Sequence, residues 1–231
     1  SLMLSSCTSA QLQQAASQLP QILETSGLGQ TQIAAGLKEA LQQGIDKQVV
    51  NLTKTDGFYN NSLVRIGLPS ELQKVEKTLR DVGLGSLADE GIKSLNKAAS
   101  TAVKEATPIF VDAITKMTIT DATNILMGNK NAATQYLQKS TKTSLYSKFN
   151  PVIKSSFTKV GADKVWSNII TKYNAIPTVK KINPDLTDYV TQQALTGVYT
   201  MIEKEEANIR TNVSARSTNL LKSVFAMQDK K

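Results

Sequence analysis

The chain has 231 residues, of which 40% are hydrophobic and 20% charged, enough apolar content for a core and a balance unlike that of a disordered chain. It has no histidine and one cysteine, which excludes Ser-His-Asp and Cys-His nucleophile systems, imidazole metal sites, an internal disulfide and thiolate clusters. Aromatics at 5% with a single tryptophan argue against a stacking platform for single-stranded nucleic acid, and the formal net charge is +8.

The sequence opens without Met, so residues upstream are expected, and Leu2-Met3-Leu4 reads as the end of a signal peptide's apolar region. Leu4-Ser5-Ser6-Cys7 resembles the bacterial lipobox, an aliphatic residue and two small ones before the cysteine that receives lipid. On this reading residues 1–7 are a signal-peptide remnant and Cys7 is the lipidation site. The competing reading is a chance Leu-Ser-Ser-Cys in a cytoplasmic protein. Thr8 after the cysteine weakly favours the outer membrane, and the expected location is the periplasmic side of the cell envelope. No other apolar run approaches the roughly 20 residues of a transmembrane helix.

Residues 8–28 read as a polar tether, rich in glutamine, with a short helix on Leu12, Ala15, Ala16 and Leu19 that Pro20 ends. Residues 29–231 read as a single helical domain. Ile33, Leu37, Leu41, Ile45, Val49 and Leu52 give one apolar stripe on a helix of about 20 residues. Asp56-Gly57 reads as a turn, and the segment near 62–68 as extended, with Pro69 turning Leu68 away from helix. A helix over 70–82 closes at Gly83. Ser86, with Asp89 three residues on, is expected to cap a long helix to Thr115 that Pro108 kinks or splits.

Thr120-Asp121 then caps a short helix ending at Gly128. Helices follow over Asn131–Tyr146, from Asn150-Pro151 to Gly161, and over 162–173. Pro177 and Pro184 bracket a loop carrying lysines, and the last helices run from about Asp185 to Ile209 and from about Ser214 to Met227. Leu186, Tyr189, Val190, Ala194, Val198, Met201 and Ile202 supply the buried face of the first of these. The fold class is all-α, a multi-helix bundle with one short extended segment.

The basic excess is local. Lys130, Lys139, Lys142, Lys148, Lys154, Lys159, Lys164, Lys172, Lys180 and Lys181 face one acid, Asp163, giving +9 over 130–181 and −1 for the remainder. Such a segment attracts anions over about 8–10 Å at physiological salt. In an envelope protein those anions are anionic lipid, a cell-wall polymer or an acidic protein, and nucleic acid is not expected as a partner. The bland alternative is a solvated surface that keeps the chain soluble.

Arginine is scarce: Arg65, Arg80, Arg210 and Arg216 stand against 23 lysines. Glu203 and Glu206 precede Arg210, and Glu206 to Arg210 is the favourable i, i+4 order. This set reads either as structural ion pairs or as an anion-binding corner built from Arg65, Arg210 and Arg216. Asp56, Asp121, Glu205 and Glu206 have none of the known metal-loop spacings, so no metal, cofactor or catalytic residue is assigned.

Several phrases together resemble a bacterial family, the domain-of-unknown-function family 4197. They are Gly36-Leu37-Lys38-Glu39-Ala40-Leu41, Asp56-Gly57-Phe58, Val64-Arg65-Ile66-Gly67-Leu68-Pro69 and Leu79-Arg80-Asp81-Val82-Gly83, then Pro108-Ile109-Phe110, Asp121-Ala122, Ala132-Ala133-Thr134 and Ile176-Pro177. Glu205-Glu206, Ile209-Arg210, Ala215-Arg216 and Val224-Phe225 complete the pattern, while Gly67 and Val213 stand where proline is common. The resemblance implies an exported, often lipid-anchored helical protein and supplies neither substrate nor catalytic residues. The expectation is a non-enzymatic envelope lipoprotein that binds a lipid, an anionic envelope component or a partner protein. The alternatives are an enzyme built on Arg65, Arg210, Arg216, Glu203, Glu205 and Glu206, without histidine or zinc, and a purely structural subunit.

Overall fold

Ile33, Leu37, Leu41, Ile45, Val49 and Leu52 are all buried along one face of α1 (Gln30–Thr53), as their three- and four-residue steps require. The computed structural model describes residues 29–230, and no strand occurs among them. A 3-10 turn at Ser70–Leu72 leads into α2 (Gln73–Asp81), followed by α3 (Gly85–Val103), α4 (Ala106–Lys116) and α5 (Ile119–Leu126). Then come α6 (Ala132–Val160), α7 (Ala162–Asn174), α8 (Thr187–Thr211), a 3-10 turn at Val213–Ala215 and α9 (Asn219–Asp229). Cys7, the residue 1–7 remnant and the 8–28 tether lie outside the described residues.

The segment between α1 and α2 is a turn at 62–64 and then a non-helical run. Its exposure alternates: Val64, Ile66 and Leu68 are buried while Leu63, Arg65 and Gly67 face solvent, the period of an extended chain. No strand pairs with it. The side chain of Asn96 on α3 takes that role, accepting from the Ile66 amide at 2.8 Å and donating to the Ile66 carbonyl at 2.8 Å. Before it, a Cβ at Gly57 would stand 2.5 Å from the Leu52 carbonyl oxygen, so the turn after α1 leaves room only for glycine.

Several helix ends differ from the sequence expectation. Ser86 does not cap α3. Leu84 precedes that helix without a side-chain bond, and Asp89 pairs with Arg80 at 2.7 Å instead. The expected helix to Thr115 divides at Lys104-Glu105, because Pro108 has no N–H for the Lys104 carbonyl and its ring crowds that oxygen. Thr118, not Thr120, caps α5. Its Oγ1 accepts from the Asp121 amide at 3.0 Å, while Asp121 Oδ2 accepts from the Thr118 amide at 2.9 Å. Those bonds hold the Asp121 carboxyl below the usual carboxylate range. The last helix starts at Asn219 behind the cap Thr218, whereas Ser214 lies in the preceding 3-10 turn.

The helices expected on either side of Asn150-Pro151 are one helix, the 29-residue α6. Leu137, Thr141, Leu145, Phe149, Ile153 and Phe157 recur every four residues across the proline, and all are buried. Each fully buried apolar side chain contributes about 1.5–3 kcal/mol, which outweighs the roughly 3 kcal/mol cost of an interior proline. Gly161, in the left-handed conformation at φ 69°, then ends α6 and separates it from α7.

α6 and α8 run antiparallel through the centre. Glu206 meets Thr134, Tyr199 meets Thr141, Thr191 meets Asn150, and Asp188 meets Tyr146. The pairing has two ends. At one, the C-terminal half of α8 meets α5, α9 and the start of α6. At the other, the first turn of α8 meets the end of α6 and α7.

Candidate functional site

Glu206 and Arg210 are one turn apart on α8, and each side chain is only 5% exposed. Their ion pair is 2.9 Å long. Glu206 accepts from the amides of Ala133 and Thr134, at 2.9 and 2.8 Å, and from the Thr134 hydroxyl at 2.7 Å, so it caps the start of α6. Arg210 donates to the carbonyls of Ile125 and Leu126 at the end of α5, at 2.7 and 3.0 Å, and to Gln228 Oε1 at 2.9 Å. With the bond from its Nε to Glu206 at 3.0 Å, the guanidinium makes four hydrogen bonds inside the fold besides its ion pair.

Arg216 is equally internal. It donates to the carbonyls of Ile209 and Arg210, each at 3.0 Å, and holds Asp229 with two bonds at 2.6 and 2.9 Å. Those bonds keep the Asp229 carboxyl below the usual carboxylate range. Arg65 does not join this group. It is exposed and stacks over Tyr59 with its guanidinium carbon 4.3 Å from the ring centre. Neighbouring Val64 packs at Gly197, thirteen residues before Arg210 on α8, or about 20 Å along the helix. The corner built from Arg65, Arg210 and Arg216 therefore does not form.

The carboxylates are also dispersed. Glu205 bonds Lys47 at 2.9 Å and Gln48 at 3.0 Å on α1. Asp56 lies 3.5 Å from Lys93, and Asp121 caps α5. Glu203 is exposed and lines a polar cleft of about 190 Å³ between α6 and α8, together with Lys142 and Tyr199. Burial pushes the Tyr199 phenol up to about 12. A shallower opening of about 260 Å³ adjoins Arg210, four of whose donors bond within the fold. Among the described residues, no three or more Asp, Glu or Cys side chains come together as metal ligands, and no helix is long and apolar enough to cross a membrane.

All ten lysines of 130–181 are exposed. Only Lys180 has an ion-pair partner among the described residues, Glu71 at 3.0 Å. Within this region lies a cleft of about 620 Å³, formed by the end of α6, α7 and the first turn of α8. Phe157, Ala162, Trp166 and Leu186 give it an apolar floor, each no more than 8% exposed. Lys154 and Lys164 stand on its lining beside Asp163 and Asp185. Sequence reading marked those lysines but not the cleft. Its floor comes from three helices, and Gly161 was the only local sign that α6 and α7 fold against each other there.

A family model described as "Protein of unknown function (DUF4197)" matches residues 27–226. No curated protein and no solved structure matches the chain.

Proposed function

Because the chain belongs to the DUF4197 family, we propose a function from its own residues: a non-enzymatic binding protein of the bacterial envelope, tethered through Cys7. Its α6–α7 region would attract an anionic envelope component. The observation that carries this reading is the set of nine exposed lysines on 130–181 without an ion-pair partner among the described residues. Unpaired ammonium groups keep their field available to an outside anion, whereas paired ones cancel it locally. The alternative, an enzyme using arginine and carboxylate, has little support, since Arg210 makes four hydrogen bonds and an ion pair inside the fold and Arg65 stacks on Tyr59 away from it.

The test is cosedimentation of the full chain, with Cys7 unmodified, against phosphatidylglycerol vesicles, phosphatidylcholine vesicles and anionic wall polymer. Binding to one anionic partner should fall at least about tenfold as salt rises from about 0.05 to 0.5 M, because screening shortens the field from over 10 Å to a few ångström. Binding that ignores salt, or no binding to any anion, overturns the reading. The tether is tested separately: Cys7→Ser should move the protein from the membrane fraction to the soluble fraction in cells.

A further inference from the structure

We propose that the cleft between the end of α6, α7 and the first turn of α8 binds one anionic amphiphile, a molecule with an apolar chain or ring body and a single carboxylate or phosphate head. The inference rests on the reading of the lysine segment as anion-attracting, and names a discrete site and ligand class within it. A volume of about 620 Å³ falls in the range of small-molecule sites, about 300–1,000 Å³. The floor of Phe157, Trp166 and Leu186 offers an apolar body a surface with no polar group to desolvate except the indole N–H.

The lining carries two ammonium groups and two carboxylates, so the sign of the head group rests on which of them already have partners and on the lysine-rich segment around the cleft. Asp163 accepts from the Thr158 hydroxyl at 3.1 Å and from the Lys164 amide at 2.8 Å. Asp185 accepts from the Thr187 amide at 2.9 Å, and Asn183 Oδ1 accepts from the Asp185 amide at 3.0 Å. Both acids and the Asn183 side-chain carbonyl thus already accept local hydrogen bonds. The ammonium groups of Lys154 and Lys164, by contrast, have no ion-pair partner among the described residues, and the side-chain amides of Asn168 and Asn183 add N–H donors. Donors above an apolar floor suit an anion carrying an apolar body. The floor also depends on α3, because a Cβ at Gly91 would stand 2.5 Å from Cζ2 of Trp166.

Trp166 is the only tryptophan, so fluorescence excited beyond the tyrosine absorption band reports this cleft alone. The full chain is titrated with decyl phosphate below its micelle threshold, and in parallel with decanoate, decyltrimethylammonium and inorganic phosphate. A saturable shift of Trp166 emission is expected with decyl phosphate, decanoate or both, and none with the cation or with inorganic phosphate. The two responding arms separate a phosphate head from a carboxylate head. The variant Lys154→Gln/Lys164→Gln should bind about tenfold more weakly, while Lys139→Gln/Lys142→Gln, outside the cleft, should stay within about twofold. Gly91→Ala should shift the indole and weaken binding without touching a charge. No response to either anion, an equal response to the cation, or equal weakening by both lysine pairs overturns the proposal. Vesicle or polymer binding that survives such a failure would leave the broader reading standing without the cleft.

Discussion

Glu206 and Arg210 hold two different helix ends from adjacent turns of α8: the carboxylate accepts from the first amides of α6, and the guanidinium donates to the last carbonyls of α5. Each charge faces the helix terminus whose partial charge is opposite, so the pair and both helix dipoles reinforce one another. Two buried charges then meet backbone groups that would otherwise be orphaned at the turn between α5 and α6.

Removing either member should therefore be costly. Glu206→Ala leaves Arg210 buried without its counter-charge and the α6 amides uncapped, and Arg210→Ala strands Glu206 in the same way. Each should lower unfolding free energy by about 3–5 kcal/mol, read from urea denaturation. The double variant should cost clearly less than the sum of the two. Losses under about 1 kcal/mol would mean that water already satisfies these groups.

Asp229 gives a pH-dependent contact. Its hydrogen bonds from Arg216 depress its folded-state pKa below the ordinary 3.8. The stability it contributes is thus fully present above that ordinary value and lost as pH falls through the lower folded value. The Asp229 side chain is 39% exposed, so solvent limits the contribution to about 1 kcal/mol or less. In thermal unfolding from pH 7 downward, Asp229→Asn should start less stable than the parent, and the gap should close below about pH 4. A gap that stays constant to pH 2 would show that shape, not charge, matters at this position.

The sequence carried the helices wherever burial was periodic, and failed where a distant partner decided the local structure. The stripe of α1 could be read directly, since its steps of three and four depend on nothing outside the helix. The unbroken α6 could not, because Pro151 is a local breaker and the counterweight, a stripe from Leu137 to Phe157, only acts once α3, α4 and α8 pack on it. The i, i+4 spacing pointed to the Glu206–Arg210 pair. Nothing in it showed that the same two side chains also cap α5 and α6, which are 72 and more residues away. Lys154 and Lys164 were legible as charge and invisible as part of a cleft, since the cleft exists only between elements.

Asn96 shows how a side chain can replace a strand. It is 1% exposed and makes three bonds of 2.8 Å, two with Ile66 and one to the Ile92 carbonyl of its own helix. Asn96→Ala leaves the Ile66 amide and carbonyl unpaired, at about 1–3 kcal/mol each. A total loss of about 2–4 kcal/mol is expected, with faster hydrogen exchange at the Ile66 amide than at amides of α1. Unchanged exchange at Ile66 would mean that the segment is held by the burial of Val64 and Leu68 alone.

Phe58 and Gly197 define how that same segment is seated on α8. Phe58 is fully buried, and a Cβ at Gly197 would stand 2.7 Å from its Cε1 and 3.3 Å from Cβ of Val64. Alanine in the middle of a helix is normally favoured over glycine by about 1 kcal/mol, so propensity alone predicts that Gly197→Ala stabilises the protein. Packing predicts the opposite. The ring cannot retreat, because it has no solvent side, and overpacking a filled core costs about 1–3 kcal/mol. Gly197→Ala should therefore lower the denaturation midpoint, and pairing it with Phe58→Leu should recover part of the loss by removing the ring edge that the new methyl strikes. If Gly197→Ala raised stability, the contact between the Asp56-Gly57-Phe58 turn and α8 would have to be looser than the buried ring indicates.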